Sequence, residues 1–437
     1  MLSTYVLVFF IVLLNLQDVS GSIVFKLLPL VGLGLVMFQN KAYYGIRPPS
    51  FKSIGLGQYL LLALLAISSL RSNNDDISFL YRINRPLMLA LVMVVVYFAT
   101  IVTFKKNKFD PFKTIQYVVI VPFLLASLAN LALWVVGWKP TNSVRSIGEA
   151  LLLSYAGIHI DRVEFPLSPG FNSTSTVLGG LVSICIGTAL FYRKNLWLTL
   201  FSTGVFVIQL ILIDTRSALI YSVLVPCAVY LLQFSKKILK FYKLSFWLVL
   251  AGPFLMLAYL PLLASNSSFQ SLSRSAEDLE TGNARFLIWG FSFQEMLQLK
   301  AQHLIGYGEF GHFGAGVSKL WAFIFSSWEN SELKSPHNTF LSIFFDYGYL
   351  GVIVYLFFLY RTMSTAIRCV RNGRKEFFIQ ISFVVYTILI GFTESTFGFY
   401  FTNFTYLFFS LMVIFGMYSE YVNFQIAQSK KVKQFAH

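Results

Sequence analysis

An all-α bundle of about twelve membrane spans is the fold this chain predicts, on three observations. Of its 437 residues, 56% are hydrophobic and 12% charged, and the mean hydropathy is +0.68; a soluble domain carries about a quarter charged residues. Apolar runs of about 20 residues, long enough to cross the hydrocarbon core as helices, recur from end to end. A β-barrel, the other structure that satisfies its backbone in lipid, would read as short segments of alternating hydrophobicity, and none are present in the sequence.

The apolar segments lie near 2–17, 22–38, 55–70, 86–104, 115–137, 174–192, 196–213, 217–234, 244–264, 340–360, 377–393 and 398–418. The first has no basic start and no small-residue cleavage site, so it reads as a span and not as a removed signal peptide. Lys26 interrupts the second. Residues 1–437 thus form one integral membrane domain. With the N-terminus in the cytoplasm, the basic clusters Lys105/Lys106/Lys108/Lys113, Lys236/Lys237/Lys240/Lys243 and Arg361/Arg368/Arg371/Arg374/Lys375 all fall in short cytoplasmic loops. That positive-inside bias explains the net charge of +15 without any nucleic-acid partner. Two segments become long extracytoplasmic loops, 138–173 and 265–336, the second containing short helices. No internal repeat is visible, which weighs against the inverted-repeat transporter folds. Cys185 and Cys227 sit in apolar runs and Cys369 in a basic loop, which implies no disulfide framework. Asn172-Ser173-Thr174 and Asn266-Ser267-Ser268 match the glycosylation pattern, which is short and common by chance.

Against this apolar background a few polar residues stand out. Arg216, in Asp214-Thr215-Arg216-Ser217, separates two apolar segments with almost no loop between them. A cation there is costly unless paired or hydrated, so it is either functional, snorkelling to the interface, or paired with Asp214. Arg285 opens an amphipathic stretch running through Trp289 to Leu297 in the large loop. Gly306-x-Gly308 follows as a tight, backbone-exposed turn. It follows no strand and opens no βαβ unit, so it is not a nucleotide loop. His337-Asn338 closes the loop just before an apolar segment, where Asn338 can also cap the helix. After nine intervening residues comes Gly348 and, after two more, Gly351; both are compatible with simple close helix packing.

Two guanidiniums and one imidazole on one membrane face suit a particular chemistry. Guanidinium forks match phosphate oxygens, and an imidazole can accept a proton from a hydroxyl. Metal-spaced His/Cys clusters, paired catalytic carboxylates in an obvious motif and a Gly-x-Ser-x-Gly elbow are missing from the sequence. The combination fits transfer of a group from a pyrophosphate to a hydroxyl. Outside the cytoplasm, where nucleotide sugars are not found, the donor must be lipid-linked.

His337-Asn338 with Gly348-x-x-Gly351, Thr215-Arg216-Ser217 at a helix end, Arg285 followed by Trp289, and Gly306-x-Gly308 together resemble the bacterial O-antigen ligase and polysaccharide polymerase superfamily. The resemblance covers about 200–360 best. It implies a metal-independent, cofactor-free inverting glycosyltransferase of the bacterial inner membrane, with its active site on the periplasmic side and glycans on undecaprenyl pyrophosphate as donors. It implies His337 as general base, and Arg216 and Arg285 as pyrophosphate ligands. Asn338 and Trp289 join Asp161 and Glu394 as candidate substrate contacts, with Glu164 and Asp346 as further carboxylates for sugar. A polymerase extending a lipid-linked repeat unit is favoured over a ligase acting on lipid A–core because polymerases are more numerous. A chain-length regulator is a candidate partner. A lipid-linked oligosaccharide transporter is the reading from another class.

Overall fold

The computed structural model describes residues 2–15, 79–138, 148–168, 170–193, 195–233, 285–325, 331–396 and 402–435, besides a few isolated positions. The apolar segments near 22–38, 55–70 and 244–264 lie outside the described residues, as do parts of both long loops. The other nine segments coincide with the helices α1 (Leu2–Asn15), α2 (Phe79–Lys106), α3 (Pro111–Val135), α4 (Phe171–Phe191), α5 (Leu196–Ile213), α6 (Arg216–Leu232), α8 (Thr339–Arg371), α9 (Phe377–Ile390) and α10 (Thr402–Phe435), and the amphipathic stretch of the large loop is α7 (Arg285–Met296). Five of them are long and apolar enough to cross a membrane: α3, α4, α5, α8 and the Asn403–Asn423 part of α10. No strand forms among the described residues; a single bridge joins Glu149 to Asp161. The chain is a helical membrane protein.

Two helices outrun their apolar segments. α8 continues through the basic stretch to Arg371, so Cys369 lies in a helix and not in a loop. It stops at Asn372-Gly373, where Gly373 adopts φ 83° and the amides of Gly373 and Arg374 return to the carbonyls of Val370 and Cys369. α10 likewise carries Lys430, Lys431 and Lys433 on helix. Hydropathy marks where an apolar stretch ends, whereas the helix ends only where its backbone hydrogen bonds stop.

α4 is the hub of the bundle. Its Gly, Ser and Thr content lets neighbours approach closely. A Cβ on Gly179 would lie 2.2 Å from the Tyr386 hydroxyl and 3.0 Å from the Ala218 carbonyl, and one on Gly180 would meet Leu407 and Phe383. The Tyr386 hydroxyl donates to the Thr176 carbonyl at 2.9 Å. The start of α6 is therefore packed beside Tyr386, one turn before the end of α9. Within α3, residues 116–120 form a π-turn immediately before Pro122. The amide of Val121 reaches back to the Gln116 carbonyl, so the wider turn absorbs the donor that proline lacks.

The break in α8 organises the large loop. At Gly348 the backbone leaves the helix with φ 69° and ψ −167°. The Phe345 and Asp346 carbonyls then accept from Tyr307 and Gly308 of the loop, at 2.8 and 3.1 Å. The Gly311 amide donates to Asp346 Oδ1 at 2.9 Å. The glycine turn is thus buried against α8 and is not backbone-exposed, correcting the sequence expectation. A Cβ on Gly348 would lie 2.5 Å from three backbone atoms of His303, Ile305 and Gly306. We expect Gly348→Ala to cost about 3 kcal/mol or more, from positive φ and this backbone clash together. A melting temperature in detergent equal to wild type would contradict this.

Candidate active site

Two of the three residues expected to do chemistry, Arg216 and His337, stand at the beginning of a helix. Arg216 is the first residue of α6, His337 lies two residues before α8, and Arg285 is the first described residue of α7. Unpaired amides at such ends favour negative charge, and a cation placed there raises that preference while leaving the helix end itself unfavourable. The carboxylate that meets Arg285 and His337 is Glu394, and Asp214 is the one beside Arg216.

Glu394 lies in the turn after α9, held against the start of α8 by a dense set of hydrogen bonds. The Thr339 hydroxyl donates to the Glu394 carbonyl and accepts from the Thr396 amide. The Thr339 amide donates to the Gly391 carbonyl, and the Ser342 and Ser395 hydroxyls bond at 2.6 Å. So placed, Glu394 Oε1 accepts from Arg285 Nη2 at 2.8 Å, and Oε2 lies 3.4 Å from His337 Nδ1. Its side chain is 3% exposed, against 21% for Arg285 and 24% for His337. Burial alone would raise its carboxyl. The Arg285 charge, together with the hydrogen bond and charge of His337, outweighs burial and holds it below the usual carboxylate range. The imidazole and one guanidinium therefore meet through a single buried anion.

His337 itself adopts φ 48°, a left-handed conformation uncommon outside glycine. Three contacts fix it there. Its amide bonds the Ser335 hydroxyl at 3.4 Å. The indole of Trp289 donates to the Pro336 carbonyl at 3.0 Å. Asn338 caps α8, accepting from the Leu341 amide and donating to the Phe392 carbonyl. Trp289 and Asn338 are essentially fully buried. Both were expected to touch substrate; in the structure they hold the backbone on either side of His337. Glu394, expected among the sugar contacts, has both oxygens committed to protein.

Arg216 pairs with Asp214 across 3.8 Å, as one of its sequence readings anticipated. Asp214 is buried, adopts φ 56°, and accepts from the Leu152 amide at 3.3 Å. Arg162 donates to the Ile213 carbonyl at 2.8 Å, capping the last turn of α5. Loop 148–168 is thereby docked at the α5–α6 turn. Asp161 lies on the exposed side of that loop, bridged to Glu149, and Glu164 is half-buried with its carboxyl raised by burial. The packing of Ala218 by Gly179 and Tyr386 sets Arg216 at the end of the bundle that carries Glu394. The structure joins His337, Arg285 and Glu394 directly, and it leaves Asp161 on a separate segment.

The loop between α7 and α8 buries two further histidines that the sequence did not single out. His303 bonds Glu295 at 3.3 Å, and Lys300 pairs with the same carboxylate at 2.5 Å. His312 stacks on Trp321 with centroids 6.1 Å apart. Burial drives its imidazole down to about 3, a hydrogen bond to the Leu333 backbone acting against this and the nearby His337 with it. Between that value and the ordinary 6.5, the unfolded chain binds a proton that the folded one refuses. The associated stability is complete above about pH 6.5 and falls by about 1.4 kcal/mol per pH unit below it. His312→Phe keeps a ring on Trp321 and removes the titration. Its melting temperature is expected to drop less than that of wild type between pH 7.5 and 5; an equal drop would refute the assignment.

Among the described residues, no group of three or more His, Cys, Asp or Glu is arranged to hold a metal ion. Residues 201–356 match the family model described as O-antigen ligase, which supports the resemblance to the O-antigen ligase and polysaccharide polymerase superfamily over this part of the chain. The matched stretch contains Arg216, Arg285 and His337 and ends before Glu394. No curated protein matches the chain.

Proposed function

We propose that this protein is a polymerase of O-antigen or a related surface polysaccharide. It moves a glycan from undecaprenyl pyrophosphate to a sugar hydroxyl of a lipid-linked repeat unit. The observation that carries this reading is the buried Glu394 carboxylate shared between Arg285 and His337. With Glu394 accepting from Nδ1, the imidazole presents Nε2 to an acceptor hydroxyl and removes its proton as the oxygen attacks the anomeric carbon. Arg285 and Arg216 hold the pyrophosphate and stabilise its charge as the glycosidic C–O bond breaks. Attack opposite the departing phosphate inverts the anomeric centre, and no metal is invoked. Asp161 and Glu164, on the loop docked at Arg216, remain candidates for sugar hydroxyls. The protein works in the bacterial inner membrane with this end of the bundle facing the periplasm.

A ligase acting on lipid A–core is the second reading, and the description of the matching family favours it. One incubation separates the two. Purified protein given only lipid-linked repeat units is expected to yield a ladder of products. No reaction until lipid A–core is added identifies the ligase, and no glycan transfer under either condition returns the question to a transporter.

A further inference from the structure

The Glu394 carboxylate is shared unequally. Its 2.8 Å contact with Arg285 is a full charge-assisted hydrogen bond, whereas 3.4 Å to His337 is at the outer limit of bonding. With the carboxylate 3% exposed, water screens neither interaction well. The resting site therefore holds Oε1 firmly on the guanidinium and Oε2 only loosely on the imidazole.

We propose that Glu394 is a positioning residue that makes His337 answer to the donor: a pyrophosphate arriving at Arg285 takes over the guanidinium, and the released carboxylate closes on Nδ1 of His337. This rests on Arg285 as a pyrophosphate ligand. The groups facing His337 are Glu394 from the turn after α9, Arg285 from α7, Phe325 with ring centroids 6.3 Å apart, the Ser335 hydroxyl at its amide, and His312 of the loop, which burial keeps neutral. Among them Glu394 is the anion, and Arg285 is what neutralises it. Once a phosphate anion satisfies Arg285, the carboxylate charge is directed to the imidazole. Nδ1 keeps its proton, donated to Oε2, and Nε2 accepts the proton of the acceptor hydroxyl. The imidazolium so formed is stabilised only while the donor is bound. Donor before acceptor becomes the productive order.

The test follows the His337 resonance in full-length protein in nanodiscs, labelled with ¹³C at histidine Cε1 and assigned with His337→Gln. It is titrated with and without saturating inorganic pyrophosphate. In wild type the midpoint is expected to rise by about one pH unit on adding pyrophosphate, a tenfold gain in proton affinity. In Glu394→Gln the rise should shrink below half, leaving only direct attraction between pyrophosphate and imidazolium. Glu394→Asp, which keeps the charge on a shorter arm, should fall between them, and it replaces the Gln variant if that protein fails to fold. Equal rises in wild type and in the variant would overturn the coupling but spare the pyrophosphate site, provided that Arg285→Lys weakens pyrophosphate binding by calorimetry. Absence of pyrophosphate binding, or binding unchanged in Arg285→Lys, would remove both.

Discussion

His337→Asn is expected to lower glycan transfer by about 10²- to 10⁴-fold, the contribution of a general base, with protein level and melting temperature close to wild type. The choice of asparagine follows from the backbone. At φ 48°, His337 occupies a region that Asn tolerates and Ala resists. His337→Ala removes the base too, but it adds a conformational cost of about 1 kcal/mol or more at the entry to α8, so its loss of activity mixes two causes. The left-handed turn also aims the ring: it lets Nδ1 face Glu394 while Pro336 and Asn338 are anchored to Trp289 and Phe392. If the Asn variant makes polymer at the wild-type rate, the imidazole is not the base, however well placed it is.

Much of this site was legible because Arg216, Arg285 and His337 stand at the edges of apolar or amphipathic runs. Asn338 before an apolar run, Arg216 between two runs without a loop, and Arg285 opening an amphipathic stretch are local patterns; α8 and α6 start where the first two indicate, and Arg285 lies on a helix. The role of Glu394 was not local. Its bonds to Arg285 and His337 span 109 and 57 residues, and sequence could place it only in a short turn that looked available to sugar. The α8 break was hidden for a related reason. A glycine inside an apolar run reads equally well as close packing or as a break, and what decides is loop backbone from residues 303–311 arriving to take the Phe345 and Asp346 carbonyls. Trp289 and Asn338 sit in the motif yet face inward. A motif records which residues are needed at a site without distinguishing those that touch substrate from those that hold the ones that do.

Arg285 offers the sharpest separation of structure from chemistry. Arg285→Ala is expected to destabilise the protein by about 3 kcal/mol, because it leaves Glu394, 3% exposed, as a buried anion whose ion pair is broken. Adding Glu394→Gln removes that anion, so the double variant should regain most of the lost melting temperature. Activity should not return. With neither the guanidinium fork for the pyrophosphate nor the carboxylate for His337, transfer is expected to remain at least about 10²-fold below wild type. Arg285→Lys completes the set: a lysine keeps the charge beside Glu394 and so most of the stability, but a single ammonium cannot replace two parallel N–H donors on a phosphate, and turnover falls. Full stability rescue together with full activity in the double variant would reduce Arg285–Glu394 to a scaffold pair. Stability regained without activity is what a pyrophosphate ligand neutralised by a buried carboxylate requires.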